Sequence, residues 1–218
     1  MPVFCAGINN KFSYMPEKPR PGSEITITYK TGETEYANAK DVKVRVYEYG
    51  VNLNSSNEYI LKQNSGNWNT KFKIADTAKG IILQFIIGDK KDNNDKKGYI
   101  IHLYDKNGNF IPGSKAGLAS AIIYLGDVTG IDNDKGAALK LFREEFNVNP
   151  SIKSDYLYSY FASIVQADKD NAKDFILKEL QNNYSNPQQL TETELSTVIN
   201  WYTRLRLLDK AEPYKKQI

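Results

Sequence analysis

The chain has 218 residues, 40% of them hydrophobic and 25% charged, with a formal net charge of +3. This length holds one large domain or two small ones, and the interleaved charges exclude the one-sided basic surface that a nucleic-acid groove requires. No run approaches the ~20 apolar residues of a membrane span, and a single cysteine, Cys5, excludes an internal disulfide.

The first residues, Met1 to Gly7, are apolar, carry Cys5 and precede a polar run. They read as the remnant of a secretory signal, with Cys5 a signal or lipidation residue, or else as an ordinary tail with a plain thiol. Pro16, Pro19 and Pro21 with Gly22 then predict an extended lead-in, so that residues 1–21 form a tail. From Gly22 the period becomes two. Ile25, Ile27 and Tyr29 alternate with Thr26 and Thr28, and Val42, Val44 and Val46 alternate with Lys43, Arg45 and Tyr47. A short strand is predicted over 58–61, a turn at Asn64-Ser65-Gly66-Asn67, and an alternating strand over 68–74. Residues 81–87 are apolar almost throughout, as in a central strand covered on both faces. The acidic-amide tip Asp92-Asn93-Asn94-Asp95 follows, then a strand over 99–104 and an Asn107-Gly108 hairpin turn before Phe110-Ile111. About seven short strands at this spacing predict a β-sandwich over 22–115. The 15 tyrosines suit half-wet strand surfaces.

Residues 116–131 read as a linker with a short helix, bounded by Gly126 and Gly130. Beyond them the apolar period becomes helical over 132–218. Asp132-Asn133-Asp134 caps a helix running to Phe146. Helices over 155–167 and 168–182 follow, and Thr191-Glu192-Thr193-Glu194 carries a capping box for the next. The stretch from Leu205 to Tyr214 looks like the middle of a helical hairpin, so the chain is expected to be a piece of a longer polypeptide. The predicted class is all-β plus all-α: an immunoglobulin-like β-sandwich followed by TPR-like helical hairpins.

Little here points to catalysis. The one histidine, His102, lies in a strand beside Ile101 and Leu103 with no neighbouring nucleophile, which predicts a structural role. Cys5 lacks a C-x-x-C partner, zinc-ligand spacing is missing, and no phosphate-binding glycine motif is present. The tip 89–95 offers oxygen donors of the kind calcium takes. It lacks the calcium-loop pattern, and Lys90, Lys91, Lys96 and Lys97 offset its charge, so a solvated turn is expected. Glu144 and Glu145 point about 100° apart on a helix and read as a surface face, not a catalytic dyad. No catalytic, cofactor or metal residue is assigned. The candidate contacts for a ligand or partner are Trp68, Asp92, Asn93, Asn94 and Tyr99.

Two resemblances can be stated. Pro19-x-Pro21-Gly22 with Ile25-x-Ile27-x-Tyr29, Trp68 to Phe72, Asp92-x-Asn94 before Gly98-Tyr99, Gly108-x-x-Ile111-x-Gly113, Ala116 to Ala121, Ala137-Ala138, Glu144-Glu145 and Asn149-Pro150 span almost the whole chain. In this order they resemble the N-terminal region of Bacteroidetes-type envelope thioredoxin-like proteins. That resemblance implies an immunoglobulin-like domain and helical repeats ahead of a C-x-x-C domain, a cell-envelope, periplasmic or secreted location, and a non-catalytic scaffold contacting a protein partner or the adjacent domain of the same polypeptide. Over about 30 residues, Trp68, Phe72, Phe85 and Asp92-Asn93-Asn94 before Tyr99 are similar to starch-binding carbohydrate-binding modules. This implies an alternative, a glucan-binding module with exposed aromatics.

Overall fold

The computed structural model describes residues 11–32, 34–51 and 54–218. Cys5 and the expectations for residues 1–10 lie outside them. The described residues divide into two compact units, with the division between Asn133 and Asp134.

The first unit contains β1 (Phe12–Met15), β2 (Glu24–Lys30), β3 (Lys43–Tyr49), β4 (Asn54–Ile60), β5 (Lys62–Asn64), β6 (Asn67–Lys73), β7 (Gly80–Ile87), β8 (Lys90–Asp92), β9 (Tyr99–His102) and the helix α1 (Ser114–Thr129). They form two antiparallel sheets. One has the order β1-β2-β6-β5; the other has the order β4-β3-β7-β8, with β9 also pairing β7. The alternation seen along β2 and β3 sends Ile25, Ile27, Tyr29, Val44 and Val46 into one apolar core shared by both sheets. Tyr29 of one sheet stacks on Phe85 of the other at 4.0 Å between ring centroids. All but one residue of β7 is buried, in keeping with its continuous apolar run.

Four expectations are corrected. The sheets begin at Phe12, ahead of Gly22: Phe12 and Tyr14 are buried and β1 pairs β2, with Phe12 opposite Tyr29. The short strand expected over 58–61 is β4, Asn54–Ile60, because backbone pairing with β3 extends through polar residues that carry no apolar period. The Asp92 tip starts as the strand β8 on β7. The supposed linker is a four-turn helix, α1, packed on β7 and β3. Two glycines permit that close approach. A Cβ on Gly117 would lie 2.9 Å from the Tyr49 ring, and one on Gly80 would overlap the Tyr49 hydroxyl. Tyr49 thus fills the seam between sheet and helix.

The second unit contains α2 (Lys135–Val148), α3 (Lys153–Ala167), α4 (Lys169–Asn183), α5 (Glu192–Arg204) and α6 (Leu208–Lys215). The predicted caps are formed. Asp134 accepts from the Ala137 amide, and Thr191 and Glu194 make a reciprocal capping box. Ala138, Phe142, Tyr156, Leu157, Phe161, Ile176, Leu180, Val198 and Trp201 form the buried faces. Glu145 corrects another expectation: it is only 4% exposed, and its carboxylate accepts from Asn149 Nδ2 at 2.6 Å. Glu144 points elsewhere, as adjacent helical residues must.

Candidate functional site

The five candidate contact residues fall in one region of the first unit, and their side chains are engaged in holding it together. Asp92 is buried at the end of β8. Its Oδ2 accepts from the Tyr29 hydroxyl at 2.6 Å and the Tyr99 hydroxyl at 2.9 Å, with Lys11 Nζ at 3.7 Å. Its Oδ1 accepts from the Asn94 amide at 2.9 Å. One carboxylate therefore joins β2, β8, β9 and the following turn. Burial, then the bond to Asp92, pushes the Tyr29 phenol far above its usual range. The two tyrosine rings pack with Phe12 and Phe85, Tyr99 lying edge-on to Phe85 at 5.2 Å and to Phe12 at 5.3 Å.

Asn93 and Asn94 are half-buried and shape the turn. Asn93 Nδ2 donates to the Gly130 carbonyl at 2.8 Å, and Asn93 Oδ1 accepts from the Lys96 amide at 3.1 Å. Asn94 Nδ2 donates to the Gly98 carbonyl at 3.1 Å. Asn94, Asp95 and Lys96 all have left-handed φ, at 58°, 53° and 65°. Apart from glycine, Asn and Asp adopt that conformation at least cost, which explains the amide and acid at positions 94 and 95. The Lys96 carbonyl accepts from the Asp132 amide at 2.7 Å, tying the turn to the segment after α1. The tip is a bonded connector, not a freely solvated one.

Trp68 is 5% exposed and lies in the shared core opposite Tyr29 on β2; Tyr99 is 2% exposed. Neither ring is available for stacking on a sugar as placed. Trp68 Nε1 has no hydrogen-bond partner among the described residues. His102 Nδ1 lies 3.5 Å from Ser114 Oγ, and its ring packs on Phe110 at 4.9 Å. Burial, with a smaller contribution from Lys115, lowers the His102 pKa, which favours the neutral ring. Ser114 is 1% exposed and His102 half-buried, so the serine hydroxyl does not face solvent.

Among the described residues no group of three or more His, Cys, Asp or Glu is placed to hold a metal ion, and no helix is long and apolar enough to cross a membrane.

Two open concavities lie elsewhere among the described residues. A groove of about 310 Å³ runs between β3–β4 and α1, lined by Arg45, Tyr47, Ser55, Ser56, Leu125 and Val128. Tyr47 donates to the Val128 carbonyl at 2.9 Å across its floor. Glu58 sits beside it, paired with Lys43 at 3.1 Å and Arg45 at 3.0 Å, and these cations hold its carboxyl below the usual range. In the helical unit a second hollow of about 450 Å³ includes Pro187, Tyr202, Pro213 and Tyr214. Sequence reading missed both. The only signal for the first was the Lys43/Arg45 alternation opposite Glu58.

No family model matches this chain, and no curated protein matches it.

Proposed function

We propose that this chain is a non-catalytic scaffold or protein-binding region of a larger cell-envelope thioredoxin-like protein, built from an immunoglobulin-like sandwich and TPR-like helical hairpins. The strand orders β1-β2-β6-β5 and β4-β3-β7-β9 correspond to the A-B-E-D and C′-C-F-G sheets of immunoglobulin-like domains, which supports the first half. In the second half α2 begins at Lys135 and α4 at Lys169, a spacing of 34 residues, which is the TPR period.

One observation carries the functional reading. Asp92 and Glu145 are buried, His102 is half-buried, and each is engaged by neighbouring side chains. A reactive group would have to reach substrate. The partner is another protein or the adjacent domain of the same polypeptide. The test is the encoded sequence on either side of these residues. A signal peptide upstream and a C-x-x-C domain downstream are expected; a reading frame with neither refutes the assignment. Titration with maltooligosaccharides addresses the glucan alternative: buried Trp68 predicts no saturable quenching of tryptophan fluorescence, and saturable quenching would favour sugar binding.

A further inference from the structure

The edges of the two sheets are not alike. At its outer edges the first sheet ends in β1, of four residues and followed by Pro16, and β5, of three residues and opening with Lys62. The far side of β7 carries β8, a three-residue strand with Lys90 and Lys91, and the four-residue β9. Short length, lysine and proline are the usual means of discouraging a sheet edge from pairing with another chain. β4 is neither short nor marked by lysine or proline, and its one charge, Glu58, is paired with Lys43 and Arg45 of β3. It is seven residues long, and among the described residues it pairs only with β3. Ser56, Asn57, Glu58 and Ile60 are exposed.

The phase of β4 is determined. The Leu61 amide donates to the Val42 carbonyl, which continues the register Ile60↔Lys43 and makes 61↔42 a hydrogen-bonded pair. Bonded pairs alternate in an antiparallel ladder. Ser55, Asn57 and Tyr59 therefore turn their backbone groups toward β3, and Asn54, Ser56, Glu58 and Ile60 turn theirs outward.

We propose that β4 is a self-association edge, pairing antiparallel with β4 of a second copy about a two-fold axis at Asn57. In that register Ser56 meets Glu58 of the other copy and Asn54 meets Ile60, so the outward-turned residues meet each other as bonded pairs. This gives about eight inter-strand hydrogen bonds. Asn57 meets its own copy in a non-bonded pair. An axis at Glu58 would instead set two carboxylates face to face, which is unfavourable. An axis at Asn57 brings each Glu58 over the other copy's groove, whose wall carries Arg45. Charge complements it there, because the cluster beside that groove holds two cations, Lys43 and Arg45, for one carboxylate. A single strand junction buries less than the ~1,200 Å² of a stable interface, so the dimer is weak and concentration-dependent. This inference is independent of the scaffold reading above.

The test is sedimentation of the full chain from about 10 to about 1,000 µM, a range that brackets a weak association. Expected is a reversible shift from 24.8 kDa toward twice that mass. Ser56→Pro removes only an outward donor and spares the β3 ladder, so it is expected to keep the fold by circular dichroism while weakening association about tenfold or more. Register is checked by Asn57→Cys in a Cys5→Ser background. Non-bonded antiparallel partners have Cα atoms about 4.5 Å apart, within disulfide reach, so copper–phenanthroline oxidation should give a covalent dimer. A monomer at every concentration overturns the proposal, including one that instead accepts an added strand peptide. So does a dimer that a folded Ser56→Pro variant leaves undiminished, or one in which Asn57→Cys does not cross-link.

Discussion

Replacing Asp92 with alanine tests the network around which the first unit is built. Tyr29 is 0% exposed and Tyr99 2%, so when the carboxylate is removed neither hydroxyl turns to bulk water without opening the core. Hydrogen bonds to a charged acceptor contribute about 1.5–3 kcal/mol each. Two are lost, together with the bond that starts the Asn94 turn, and partial entry of water into the vacated space offsets part of the cost. The expected destabilisation is about 3–5 kcal/mol. Urea unfolding followed by fluorescence measures it, with Trp201→Phe as background so that Trp68 alone reports on the first unit. Tyr29→Phe, alone and combined with Asp92→Ala, closes a double-mutant cycle with an expected coupling of about 1–2 kcal/mol. A loss below about 1 kcal/mol for Asp92→Ala, or no coupling to Tyr29, would refute the view that this carboxylate joins the strands.

Three further outcomes follow from particular contacts. Gly80→Ala should cost about 2–3 kcal/mol in the same urea assay, because its methyl group would overlap the Tyr49 hydroxyl under α1. Thr191→Ala should cost the helical unit about 1 kcal/mol in thermal unfolding, since it removes the hydroxyl that accepts the Glu194 amide. Burial raises the phenols of Tyr14, Tyr184 and Tyr202 to about 12. Unfolded tyrosines titrate near ~10, and the folded state holds its protons more tightly, so this stability is whole below about pH 10 and is lost as pH rises through about 12. Phenolate absorbance of the native chain should lag that of the urea-unfolded chain across this window; coincident curves would contradict the burial.

The parts of the fold that could be read from sequence are those where apolar periodicity and burial coincide. β2, β3, β6 and β7 were legible because their side chains face one core, and the helical caps because Asp134 and Thr191 act within their own turn. Only the end of β4 shows in the sequence, because an edge strand made of serine, asparagine and glutamate is held by backbone bonds to β3, which leave no apolar trace. The full length of α1 is hidden in the sequence for the opposite reason. It is buried around most of its surface, with Ala116, Gly117, Ala119 and Gly126 as small contact residues, so its apolar period is blurred. Asp92, Asn94 and Tyr99, among the recognition candidates, meet in one bonded network with Tyr29. Their role was not legible, since an Asp-Asn-Asn tip looks the same whether it meets solvent or accepts two tyrosines. Tyr29, 63 residues away from Asp92 in sequence, supplies the missing partner.

Because α1 covers the β3–β7 face while β2 and β6 keep their outer faces to solvent, the two sheets should carry different mutational signatures. On β2 and β6, tolerance to substitution should rise and fall with every residue. Thr26, Lys30, Lys71 and Lys73 are exposed between buried Ile25, Ile27, Tyr29 and Phe72. On β7 it should form an unbroken intolerant band that includes Gln84, whose amide donates to the Thr129 carbonyl at 3.0 Å and so reads the end of α1. A saturation-mutagenesis map of this unit would show stripes on one layer and a solid bar on the other, and natural sequence drift in its relatives is expected to follow the same geometry.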